Sequence, residues 1–161
     1  MSRYSKALCF HEAARAVARL VIGRRAMRID LRQSGARQRE RSSRIIPLRG
    51  QYDVWDEILL ILAGPFAEAR IGKRAVATLL RRAPRRGRPE VESWLDWLVE
   101  HGFADDARSA SLRAEAEVRL FLRTHWATIE RVADALMTRG VLEANELTDI
   151  FRGSATTSDR W

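Results

Sequence analysis

The most constraining feature of this chain is a strongly apolar segment in its first half, DVWDEILLILAGPFAEARI at residues 53–71. Its longest apolar run, residues 58–64, is far shorter than the roughly 18 residues that a transmembrane helix needs. We therefore expect no membrane span here, and instead a helix at the centre of a globular core. Because Pro65 lacks a backbone donor, we expect this helix to bend or break at Gly64 and Pro65.

The segment before this helix predicts one helix and a small β-element. Residues 5–22 carry apolar side chains at helical spacing and end at Gly23, which is a typical C-terminal stop. Between residues 26 and 48, the runs MRIDLRQ and RIIPLR flank a polar stretch and have strand character. This pattern predicts a β-hairpin with a long, mobile loop.

The second half of the chain predicts helices separated by glycine and aspartate signals. These helices are expected from Pro89 to Gly102, over 107–122, over 124–139 before Gly140, and after Asn145. We find no internal repeat and no linker. The expected fold is a single mainly α domain over residues 1–153 with one small β-hairpin, followed by a disordered tail over 154–161.

Arginine-rich segments at residues 24–44 and 81–88 contribute to a net charge of +8. Such clusters can neutralise phosphates, but neither is interleaved with the aromatic residues on which single-stranded nucleic acids stack. We therefore expect solvated loops there, with nucleic-acid binding the less favoured function. Since Cys9 is the only cysteine and charged residues interrupt any secretory pattern, we expect a cytoplasmic protein.

The first predicted helix contains most of a metal-binding motif. In a His-Glu-x-x-His helix the two imidazoles, four residues apart, bind one zinc ion from the same face. The glutamate acts as general base on the bound water, whose pKa the metal lowers to about 7. This chain has His11 and Glu12, but Arg15 stands at the second histidine position. A guanidinium has no lone pair to offer a metal, so the motif is degenerate.

Three patches of the sequence resemble the peptidase domain of FtsH-type ATP-dependent zinc metallopeptidases, and more closely its short stand-alone relatives. They are HEAARAVARLVIG, LAGPFAEA and LRTHWATIERVADALMTRGVLEANELTDIF, within a likeness that covers residues 8–151. The resemblance implies a zincin-like helical domain with zinc as cofactor, His11 as first ligand and Glu12 as general base. No Walker-type loop is present in the sequence, so we expect no ATP site.

The resemblance also implies a third ligand, an aspartate at the start of a helix that follows the LAGPFAEA patch. Glu90, in the first turn of PEVESWLDWL, is our preferred match, with Glu92 and Asp106 as alternatives. Acids in a first turn are also favoured by the helix dipole alone. His101 and His125 have no motif reason to converge on the site.

Arg15 shares one helix stripe with Leu8, Ala18 and Ile22, where an unpartnered cation would be costly. We expect its guanidinium to pair with Glu12 and with the third-ligand acid, so that it replaces the metal cation. Zinc binding should then be weak or absent. The expected function is a catalytically impaired or non-catalytic domain that binds a peptide or protein, or regulates one. The alternatives are an active zinc endopeptidase and a nucleic-acid-binding protein.

Overall fold

The computed structural model describes residues 4–32, 51–72, 75–76 and 88–158 of the chain, without the side chains of 51–52, 88–90 and 154–158. Within these ranges the fold is mainly helical with one small antiparallel sheet. In chain order the elements are α1 (Lys6–Val21), β1 (Ile29–Asp30), α2 (Gln51–Ile71), α3 (Arg88–Glu100), α4 (Ala107–Arg139), β2 (Val141–Leu142) and α5 (Ala144–Ser158). None of the described helices is long and apolar enough to cross a bilayer.

The core forms where α1 packs against α2 and α4. Along α2, Val54, Ile58 and Leu62 recur at four-residue spacing and are at most 5% exposed, as expected for one buried helix stripe. Ala13 and Ala14 of α1 are fully buried. Small side chains let two helix backbones approach closely, and α1 packs against α2 more extensively than any other two described helices pack together.

α2 runs as one helix from Gln51 to Ile71 with Pro65 inside it. A break at this proline is therefore wrong, and the alternative expectation, a bend, stays a prediction. Pro65 and its neighbours Gly64 and Phe66 are buried, so packing on several sides outweighs the loss of one backbone hydrogen bond. Residues from both sides of the proline therefore belong to one continuous helix.

α4 is a single helix of 33 residues and not the two helices that the sequence predicts. No glycine or proline occurs near residues 122–124, and buried side chains continue on both sides of that point, Leu122 before it and Ile129 after it. At its start, Asp106 accepts a hydrogen bond from the Ser109 amide at 2.7 Å. At its end, Gly140 has a φ of 71°, which confirms the predicted stop.

The sheet joins two distant parts of the chain. β1 pairs with β2 in an antiparallel ladder that sets Ile29 opposite Leu142 and Asp30 opposite Val141. The expected hairpin partner, near residues 44–48, lies outside the described residues. Gly140 reverses the chain after α4 and its carbonyl accepts the Leu31 amide at 2.9 Å, which fixes the register of the ladder. The described partner of β1 is therefore not its neighbour in sequence.

The last helix, α5, continues to Ser158, so it includes part of the segment predicted as a tail; residues 159–161 lie outside the described structure. Its first turn is closed by Glu146, whose side chain accepts the Glu143 amide at 2.9 Å. α3 also ends as predicted, because Gly102 has a φ of 72°.

Candidate functional site

His11 lies on α1 with its imidazole ring flat against Gly64, in the middle of α2. A Cβ atom placed on Gly64 would lie 2.6, 2.7 and 2.9 Å from the Nε2, Cδ2 and Cε1 atoms of His11. Because the three distances are nearly equal, the ring turns its face and not its edge toward the glycine. Cβ contacts under 3.0 Å essentially do not occur, so glycine at position 64 is what admits the ring.

Glu68 orients the His11 ring from the next turn of α2. The His11 Nδ1 atom donates a hydrogen bond to Glu68 Oε2 at 3.1 Å, with side chains that are 24% and 22% exposed. Since a carboxylate only accepts, Nδ1 is the donor of this hydrogen bond, and Nε2 is the ring nitrogen that does not face the carboxylate. Metal-binding histidines are held in the same way, with a carboxylate on the nitrogen that does not face the metal.

Sequence reasoning missed the roles of Gly64 and Glu68, although both lie in the LAGPFAEA patch. They are four residues apart, so they share one face of α2. One admits the ring of His11 and the other orients it. The sequence signal that could have found them is the four-residue spacing of Gly64 and Glu68. That spacing puts a small residue and an acid on one helix face, where a histidine from α1 can pack.

Glu12 and Arg15 form an ion pair one turn apart on α1. The Arg15 Nη1 and Glu12 Oε2 atoms are 3.7 Å apart, and the side chains are 31% and 10% exposed. This distance is beyond a hydrogen bond but within an ion pair. The predicted pairing of Arg15 with Glu12 is confirmed. Its predicted pairing with Glu90 involves a side chain outside the described residues.

The acids considered as third ligand lie on or next to helices other than α1. The backbone of Glu90 is in the first turn of α3, which packs on α2 and α4. Glu92 is exposed. Asp106 is also exposed and caps α4; the Ser109 amide that it binds lowers the pKa of its carboxyl group. Its carboxylate therefore already has a local structural role.

The other described histidines and Cys9 have local surroundings of their own. His101 donates from Nδ1 to the Trp97 carbonyl at 2.9 Å and stacks on the Trp97 ring. His125 packs against Phe121, and burial lowers its pKa. Cys9 is fully buried, which raises the pKa of its thiol. Among the described side chains, no three of His, Cys, Asp and Glu form a group able to hold a metal.

The described residues at positions 11–15 therefore do not fit the zinc site that the resemblance implies. His11 keeps a carboxylate-oriented ring, but the position one turn along α1 presents a permanent cation instead of a second lone pair. The carboxylate expected to activate water is paired with that cation. A divalent ion at this place would be repelled by the guanidinium of Arg15 and would lack a ligand.

The first arginine-rich segment is partly described, and three of its arginines bind carboxylates. Arg24 pairs with Glu57, and Arg32 pairs with Asp30 at 3.1 Å. Arg28 lies 3.3 Å from two carboxylates, that of Asp30 in β1 and that of Glu143, which directly follows β2. The hydrogen bond from Arg32 lowers the pKa of Asp30. These arginines contribute little free charge to a phosphate-binding surface; residues 33–44 and 81–87 lie outside the described structure.

Comparison with known proteins identified no relative of this chain. No protein-family model, no curated protein and no solved structure matches the chain. The likeness to FtsH-type peptidases stays a prediction, based on three sequence patches. Two of those patches supply the residues that meet between α1 and α2: His11 from the first, Gly64 and Glu68 from the second.

Proposed function

We propose that this chain is a zincin-like, FtsH-peptidase-type domain in which an arginine has replaced the metal cation, and that it binds peptide or protein segments without cleaving them. The proposal is carried by one observation, the ion pair between Arg15 and Glu12 at 3.7 Å. Glu12 is only 8% exposed, and a carboxylate so far removed from water needs a cation beside it. In a zinc peptidase the metal ion lies near the corresponding glutamate; here the guanidinium of Arg15 lies beside Glu12.

The contact between His11 and Glu68 supports descent from a metal-binding ancestor. A carboxylate on Nδ1 is the arrangement that orients metal-binding histidines. The same observation favours the second candidate function, a metal-dependent endopeptidase that uses His11 with acids outside the described residues. The two candidates differ in whether the parent chain holds a metal.

Metal content decides between them. The parent chain and an Arg15→His variant are loaded with zinc, dialysed and analysed for zinc per chain, with Arg15→Gln as a control that removes the charge without adding a ligand. We expect little zinc in the parent and in Arg15→Gln, and close to one equivalent in Arg15→His. One equivalent in the parent would establish the endopeptidase candidate instead. No zinc in any of the three would remove the support for a metallopeptidase ancestry.

Substrate assays test the second half of the proposal. A fluorescently labelled unfolded casein is mixed with the parent chain and with Glu12→Gln, and both anisotropy and peptide release are followed. We expect binding by both proteins and chelator-sensitive release by neither. Hydrolysis that a chelator stops and that Glu12→Gln abolishes would show that the site is catalytic. Absence of binding would contradict the peptide-binding role.

A further inference from the structure

The first half of α4 has a second apolar face that points away from the core. Leu112 is 60% exposed, Leu120 is 48% exposed, and Ala116 between them is exposed as well. Two positions along a helix correspond to a rotation of about 200°. These residues therefore lie opposite the buried stripe of the same helix, formed by Ala110, Ala114 and Val118. The three exposed residues, spaced four apart, make a straight seam that we call the outer seam.

Charged residues of both signs flank the outer seam. On one side lie Glu115 and Arg119, joined at 3.0 Å through the Arg119 Nε atom. On the other side lie Arg113 and Glu117, with the Arg113 guanidinium over the ring of Trp55 at 4.5 Å. Each flank therefore has one acid and one base. A seam of this kind differs from a membrane-binding face, which would carry mainly basic flanks.

We propose that the outer seam binds a second copy of this chain, so that two α4 helices pair about a two-fold axis near Ala116. A two-fold interface brings the same surface patch together from both copies, so it must be complementary to itself. The outer seam meets this condition. Leucines from one copy cover leucines from the other, and Ala116 leaves room for the helices to approach closely.

The flanking charges strengthen the case for a second copy over an unrelated partner. If the second helix runs antiparallel, each flank faces its own equivalent, and two arginines meet two glutamates. If it runs parallel, each flank faces the opposite one, and again the four charges balance. A partner with a single sign of charge would leave half of these side chains unfavourably placed. The outer seam and its flanking charges are thus complementary to a second copy of themselves in both the parallel and the antiparallel arrangement.

The outer seam covers about two and a half helical turns, so the expected dimer is weak and depends on concentration. Sedimentation equilibrium of the full chain, from low micromolar to about 1 mM, measures its dissociation constant. Leu112→Glu should raise that constant by about a hundredfold or more, because each leucine is counted twice in a two-fold interface. The matched control is Met27→Glu. Met27 is 49% exposed outside α4, so this variant should dimerise like the parent.

A charge-exchange experiment tests the partner's identity. The variant Arg113→Glu/Arg119→Glu has only acids on both flanks, and Glu115→Arg/Glu117→Arg has only bases. Each should be monomeric alone, with an unchanged circular dichroism spectrum, and an equimolar mixture should form the heterodimer. A monomeric parent up to the highest concentration, a dimer that survives Leu112→Glu, or charge variants that fail to complement each other would overturn the proposal.

Discussion

Gly64 and Gly140 both have an aromatic ring directly against the backbone, but the two regions need glycine for different reasons. At Gly64, inside α2, the ring of His11 occupies the place of a side chain, and the backbone is ordinary helix. At Gly140, after α4, the ring of Tyr4 lies 2.4 Å from where a Cβ would be, and φ is 71°. The first glycine is required only by a neighbouring helix, whereas the second is required by its own conformation as well.

This difference separates two kinds of sequence signal. A glycine that ends a helix is recognisable from its local context, and Gly140 was predicted as a stop for that reason. A glycine that makes room for another element has no local signature, since its partner is far away in the chain. Gly64 instead appeared in the sequence as a helix-weakening residue next to Pro65.

The largest effect is expected for Gly140→Ala. An L-residue in the left-handed region costs roughly 1–2 kcal/mol, and the methyl group also displaces Tyr4, so the free energy of unfolding should fall by about 2 kcal/mol. Urea denaturation measures this difference. When the same change is made in a Tyr4→Ala background, most of the loss should remain because φ is unchanged. Complete rescue by Tyr4→Ala would mean that Gly140, like Gly64, is required only by its neighbour.

A smaller effect is expected for Gly64→Ala, and its sign should depend on His11. Overpacking against the ring costs about 1–3 kcal/mol, whereas alanine gains about 1 kcal/mol of helix propensity, so the net loss should be roughly 1 kcal/mol. In a His11→Ala background the ring is absent, and Gly64→Ala should become stabilising. Equal losses in both backgrounds, again by urea denaturation, would show that the methyl group meets something other than His11.

The smallest effect concerns the other end of α4, where Asp106 is a local signal like Gly140. The Ser109 amide lowers the pKa of this carboxyl group below its ordinary value of 3.8. Its stabilising effect should be complete above pH 3.8 and should be lost as the pH falls through the lower, folded-state value.

Asp106→Asn keeps a capping side chain that does not titrate, so it serves as the reference. The melting temperature of the parent should decrease relative to this variant between neutral pH and a pH below 3.8. A constant difference across that range would show that the carboxylate does not stabilise α4 through its charge. Taking the difference between the two proteins cancels the titration of the other carboxyl groups.

In the rest of the fold, too, features with a local sequence signal were predicted, and features that depend on distant contacts were not. Helix α1, the end of α3 and the stop of α4 were predicted because Gly23, Gly102 and Gly140 follow apolar periodic segments. The break at Pro65 and the division of α4 were wrong, because burial on several sides outweighs the helix propensity of a few residues. The pairing of β1 with β2 could not be derived, since strands of two residues carry almost no periodicity.

The candidate site was predicted in part for the same reason. His11, Glu12 and Arg15 belong to one local motif, and the ion pair between Glu12 and Arg15 follows from helical spacing alone. Glu68 is 57 positions from His11, and its hydrogen bond depends on how α1 and α2 meet. A single sequence does not show which residues of two distant helices come into contact.

The ladder between β1 and β2 has a consequence for synthesis of the chain on the ribosome. Ile29 and Leu31 are 7% and 5% exposed in the folded protein, and the described strand that pairs with this segment is Val141–Leu142. More than a hundred residues must be added before that strand exists. During this time the hydrogen bonds between β1 and β2 cannot form, and an apolar strand that lacks such a partner is the kind of sequence that chaperones bind. The ladder of β1 can therefore form only after α4 and β2 have been synthesised.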